Sequence, residues 1–133
     1  MLKIKSAAPA IPAQDIKRAR KFYEQTLGFK PAEEEPDGGA RYSAGEAMFV
    51  VFPSMGKASG DHTQMAFEVD DVPSAVVELK GKGVTIEEYD YPEFKSHEGL
   101  VDMPDGTKGA WFKDTEGNLI ALTQRVPAVT RSN

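Results

Sequence analysis

The chain has 133 residues, 40% hydrophobic and 28% charged, which suits one soluble globular domain with a single core over 1–133. A formal charge of −5 with no Lys/Arg cluster repels a phosphate backbone, so nucleic acid is excluded as a partner. The absence of cysteine removes disulfides, thiolate metal sites and a cysteine nucleophile, and with no apolar run of signal-peptide or membrane-spanning length a cytoplasmic protein without membrane contact is expected.

Ile4 to Pro12 is a short apolar segment leading to Asp15, whose carboxylate suits a helix N-terminus. Ile16, Ala19, Phe22, Tyr23 and Leu27 recur at helical spacing, and Gly28 stands where a left-handed residue ends a helix. Strand-like segments follow at 29–35, 40–44 and 47–53, separated by turns at 36–39 and 45–46. The order is βαβββ.

The second half repeats it. Strand 64–69 leads to the Asp70-Asp71 cap and a helix over 72–80, with Val72, Ala75, Val76 and Leu79 as its buried stripe. Strands are expected at 84–89, near 100–103, at 109–113 and at 119–124, with turns at 104–106 and 116–118. Asp15 corresponds to Asp71 and Tyr42 to Phe112, an internal duplication with module one at about 1–55 and module two at about 61–126. Each module leaves one sheet face uncovered, so the two are expected to enclose a cavity between concave faces.

Alternation along the strands assigns the faces. Met65, Phe67 and Val69 are expected under the helix, which sends His62, Gln64, Ala66 and Glu68 toward the cavity. Phe112, Ile120 and Leu122 are expected in the core, leaving Trp111, Leu119, Ala121 and Thr123 to face inward. In module one the matching residues are Arg41, Phe49 and Val51. Trp111, the only tryptophan, is read as either a stacking surface for a flat ligand or a core residue. Arg41 either meets an anionic ligand group or is a solvated strand-edge side chain. Glu33 to Asp37 reads as a solvated hairpin end. Tyr89, Tyr91, Phe94 and Met103 are placed at the rim, and 91–99, which contains His97, reads as a flap, a surface loop or a dimer contact.

The runs Asp15 to Phe29 (DIKRARKFYEQTLGF) and Phe112 to Ile120 (FKDTEGNLI) resemble the vicinal oxygen chelate superfamily, which holds glyoxalases, extradiol dioxygenases, some epimerases and bleomycin-resistance proteins. The resemblance spans almost the whole chain. It implies an α+β fold: two βαβββ modules forming an open, cup-like mixed sheet with helices on the outer face, assembled as a homodimer. It also implies metal-ligand positions at Ala8, Val51, Gln64 and Ala121, of which only Gln64 carries a donor atom. The expectation is therefore a protein without metal or other cofactor, its small Ala8, Ala10, Ala66 and Ala121 opening volume for a hydrophobic or aromatic ligand such as an antibiotic or metabolite. Two alternatives stand beside it: an enzyme using His62, Glu68, His97 or Glu98 for proton transfer, and a glyoxalase-like isomerase holding metal through Gln64 and improvised ligands such as His62, His97 and Glu98.

Overall fold

Asp15 starts the first helix as its side chain predicts. The carboxylate accepts from the Arg18 N–H at 3.0 Å, satisfying one of the donors that a first turn leaves open. In the computed structural model of the chain, which describes residues 1–126, this helix, α1 (Ile16–Lys21), widens into a π turn over Phe22–Thr26. There the Leu27 N–H reaches back five residues to the Phe22 carbonyl at 2.9 Å. Phe22 and Tyr23 are both buried and meet edge to face with ring centres 5.6 Å apart. Gly28 then turns the chain at φ 85°, a conformation natural to glycine.

The strands after it, β2 (Pro31–Glu34), β3 (Ala40–Ala44) and β4 (Ala47–Pro53), form one mixed sheet with β1 (Ala10–Ala13) in the order β1-β4-β3-β2. β1 runs parallel to β4, and the other neighbours are antiparallel. α1 covers one face. Ile11, Ala13, Ala40, Tyr42, Phe49 and Val51 are buried there together with Ala19 and Tyr23. The Tyr42 and Phe49 ring centres lie 5.3 Å apart, and Tyr23 and Phe49 lie 5.6 Å apart. This corrects the expected facing of Phe49 and Val51: they pair across the ladder with the core residues Tyr42 and Ala40, so their side chains lie under the helix and away from the open face.

The second module repeats the plan. Asp71 caps α2 (Val72–Gly81), accepting from the Ser74 hydroxyl at 2.7 Å, and the Val72 N–H is taken by the Gln124 side-chain oxygen at 2.8 Å. β5 (Thr63–Glu68) lies parallel to the last strand in the sheet. Two short strands, β6 (Asp90–Tyr91) and β7 (Phe94–Lys95), make a separate ribbon inside the segment expected to be a loop. The sheet itself is completed by β8 (Val101–Asp102), β9 (Lys108–Lys113) and β10 (Leu119–Gln124) in the order β5-β10-β9-β8. Val72, Val76 and Leu79 from α2 are buried, as are Met65, Ala110, Phe112, Ile120 and Leu122 from the sheet. The strand expected over 84–89 reduces to a bridge from Ile86 to Phe112 and a hydrogen bond from the Glu87 N–H to the Trp111 carbonyl.

Close contacts divide the chain into two units, residues 1–59 with 115–118, and residues 60–114 with the described residues from Leu119 onward. Each unit holds one mixed four-stranded sheet and one helix, the α+β arrangement of a βαβββ module. Among the described residues no helix is long and apolar enough to cross a membrane.

Candidate functional site

In the first unit, Val50 is the cross-strand partner of both Ala10 and Arg41, so these three form a row on the sheet face opposite α1. Phe52, two residues along β4, stands on the same side. Ala8, Ala10, Val50 and Phe52 form the apolar part of a pocket of about 440 Å³, and Ser6, Asp37 and Arg41 add its polar groups. Its volume lies within the range of small-molecule sites.

The two charged residues are held by their own local structure. Asp37 sits in the turn between β2 and β3 and accepts the Gly39 N–H at 2.9 Å, which fixes its carboxylate. Gly39 has to be glycine because an added Cβ would stand 2.4 Å from the Val51 carbonyl oxygen. Arg41 donates its Nε to Glu35 at 2.9 Å, which orients the guanidinium and leaves its two terminal nitrogens with no hydrogen bond among the described residues.

The 115–118 turn, part of the same unit, is bound by charge. The Glu116 side chain is 2% exposed and accepts from the Arg18 Nε at 2.8 Å, the Asp15 N–H at 3.0 Å and the Thr115 hydroxyl at 2.9 Å. Burial opposes its ionisation, but these hydrogen bonds outweigh it and hold the carboxyl below the ordinary range. Asn118 donates to the Pro12 carbonyl at 3.0 Å. These groups anchor the turn and do not line the pocket.

In the second unit Trp111 is partly buried. It pairs with Ala121 across the ladder, and Ala121 pairs on its other side with Ala66. The indole lies over Gly109, where a Cβ would come within 3.1 Å of it, and its Nε1 donates to the Thr63 hydroxyl at 3.1 Å. Tyr89 and Phe94 meet it edge-on, with ring centres 5.7 and 5.4 Å away. Phe94 belongs to the β6–β7 ribbon, so part of the expected flap packs on the tryptophan. Ala121 is buried, Gln64 half-buried beside an irregularity in the β5–β10 register, and Leu119 buried next to the same irregularity.

The remaining residues singled out from the sequence are scattered. His62, His97 and Tyr91 are exposed, and His97 pairs through its backbone with Leu100. Met103 is half-buried, its N–H donating to the Thr107 carbonyl at 2.8 Å. Of the residues singled out from the sequence the pocket includes Arg41 and the small Ala8 and Ala10, and of the acid–base candidates His62, Glu68, His97 and Glu98 it includes none. Ser6, Asp37, Val50 and Phe52 were missed; the pairing of Arg41 with Val50 is the signal that finds the last two.

The four family metal positions do not fit a divalent ion. Ala8 and Ala121 carry no donor, Val51 lies in the core, and Gln64 alone is a weak neutral ligand. Among the described residues no three His, Asp or Glu side chains gather as a ligand set.

Comparison with known proteins agrees with the fold. The chain is similar to a bleomycin-binding protein solved with bleomycin, at 22% identity and a TM-score of 0.67, over 92% of this chain and 100% of the other. It is also similar to TnmS3, an antibiotic-binding protein from Streptomyces sp. CB03234, at 22% identity and a TM-score of 0.65, over 94% and 100%. A lactoylglutathione lyase from Agrobacterium tumefaciens gives 18% identity and a TM-score of 0.67, over 91% and 94%. No curated protein sequence matches. The family model described as the Glyoxalase/Bleomycin resistance protein/Dioxygenase superfamily matches residues 4–122, and the chain belongs to that family.

Proposed function

We propose that this protein binds a small organic molecule without a metal ion, as a sequestering protein of its superfamily. The observation that carries the reading is the pocket on the open face of the first sheet. Its lining includes Ala8, a position where metal-dependent relatives place a ligand, and its floor is Ala10, Val50 and Phe52. Such a surface gains affinity by burying apolar area, and its lining holds no metal-ligand set among the described residues. Antibiotic-binding proteins of the same fold, bleomycin-binding protein and TnmS3, support the binding reading, while a lyase of the same fold keeps the enzymatic alternative open to test.

The same reading makes the protein a cytoplasmic homodimer. The exposed Leu2 and Ile4 supply apolar surface for a second copy. Trp111, Gln64 and Ala121 of the second unit are proposed to contribute further ligand contacts, with His62, Tyr91, His97 and Met103 around them.

The test is native mass spectrometry of the purified protein with metal analysis on the same sample. A metal-free protein carrying an organic adduct is the expected result, and Ala10→Trp, which fills the pocket, is expected to lose the adduct while keeping its circular dichroism. Stoichiometric nickel, zinc, iron or manganese would overturn the reading.

A further inference from the structure

The pocket presents two opposite charges that do not neutralise each other. Arg41 is paired with Glu35 through Nε only, and Asp37 uses one carboxylate oxygen on the Gly39 N–H. Among the described residues Asp37 and Arg41 form no ion pair, although both line the same cavity. The terminal edge of the guanidinium is therefore available as a two-pronged donor, the geometry that matches a carboxylate. The second oxygen of Asp37 is available as an acceptor for an ammonium. The same pocket is lined by the apolar Val50 and Phe52 and by Ser6.

We infer that the ligand of this pocket is a zwitterion: a compact organic molecule carrying a carboxylate and an ammonium on an apolar body. The inference rests on the small-molecule-binding reading and narrows it. Charge balance favours a zwitterion over a simple anion. Arg41 contributes one positive charge against the negative charges of Glu35 and Asp37, so an anion would meet a locally negative site. A simple cation would leave the terminal nitrogens of Arg41 without a partner in the ligand. A ligand bearing both groups satisfies both side chains and adds no net charge. Asp37 and Arg41 are well suited to discriminate because each is already fixed by a neighbour, so little ordering cost remains on binding.

The experiment uses four probes in which the two charges of one apolar body are kept or blocked singly and together: L-phenylalanine, its amide, its N-acetyl derivative and its N-acetyl amide. Affinity is measured by calorimetry, and location by the shifts of the Val50 and Phe52 backbone amides in NMR spectra. The free amino acid is expected to bind about tenfold or more tightly than each derivative, the size of effect that one charge-assisted hydrogen bond gives. Arg41→Met is expected to erase the preference for the amino acid over its amide, and Asp37→Asn the preference over the N-acetyl derivative. If the doubly blocked probe shifts Val50 and Phe52 and binds as tightly as the amino acid, the zwitterion assignment fails while the pocket stands. A preference for one charged group alone, or preferences untouched by both substitutions, also overturns it. If no probe shifts either residue, the zwitterion assignment fails, and the organic adduct sought by native mass spectrometry decides the binding reading separately.

Discussion

Glu116 shows how one side chain fastens a turn. Its carboxylate is almost inaccessible, and it collects donors from Arg18, Asp15 and Thr115. Losing such a buried, multiply bonded group strands its donors, and Glu116→Ala is expected to cost about 2–3 kcal/mol in urea unfolding at pH 7. The pH dependence has a definite sign. Because the folded carboxyl ionises more readily than an ordinary one, its contribution is full above the usual carboxylate range and is lost as pH falls through the folded value. The stability gap between the native protein and Glu116→Gln is therefore expected to shrink as unfolding is repeated from pH 7 down to pH 3. A gap that stays constant or widens toward acid would show that the charge of Glu116 contributes nothing. Sequence alone could place this residue in a turn before a Gly-Asn pair, but its burial depends on Arg18, 98 positions away.

At the level of elements, the β2–β3 turn is the part that links fold to pocket. Two adjacent glycines serve it for different reasons: Gly38 supplies a φ of 94°, and Gly39 lets the turn approach the Val51 carbonyl. Gly38→Ala is expected to cost about 1 kcal/mol through backbone strain. Gly39→Ala is expected to cost more, about 2–3 kcal/mol, since a rigid backbone atom lies in the way, and to weaken ligand binding by moving Asp37. Equal unfolding midpoints for the two variants would refute that ranking. The turns and caps were legible because Asp15, Asp71, Gly28 and the 45–46 turn each act locally, whereas the strand expected at 84–89 reduces to a single bridge. The facing of β4 was not legible, for the run from Met48 to Phe52 is wholly apolar and alternation within it carries no sign. Only its ladder with β3, where Arg41 meets Val50 and Tyr42 meets Phe49, decides which residues are buried. The β6–β7 ribbon was hidden for a related reason. It is two short pairs whose stabilising partner, Trp111, comes from a distant strand.

For the whole molecule, the repeated βαβββ plan lets each module be held together by its own packing. Each module has its own helix-covered core, built from Tyr23, Tyr42 and Phe49 in one and from Met65, Phe112 and Ile120 in the other. Two of the four metal-ligand positions, Val51 and Ala121, are buried and serve as packing, and neither supplies a donor atom. Stability should then owe nothing to a bound ion. A ligand that binds only the folded state stabilises it in proportion to the logarithm of its concentration over its dissociation constant, so stripping a resident metal would lower the melting temperature by several degrees. Dialysis against EDTA is expected to leave the melting temperature within about 1 °C of its starting value, and adding back nickel, zinc or manganese is expected to leave it there. A fall on chelation reversed by one of these metals would mean that Gln64 and other donors assemble a site, and would return the protein to the metal-dependent branch of its superfamily.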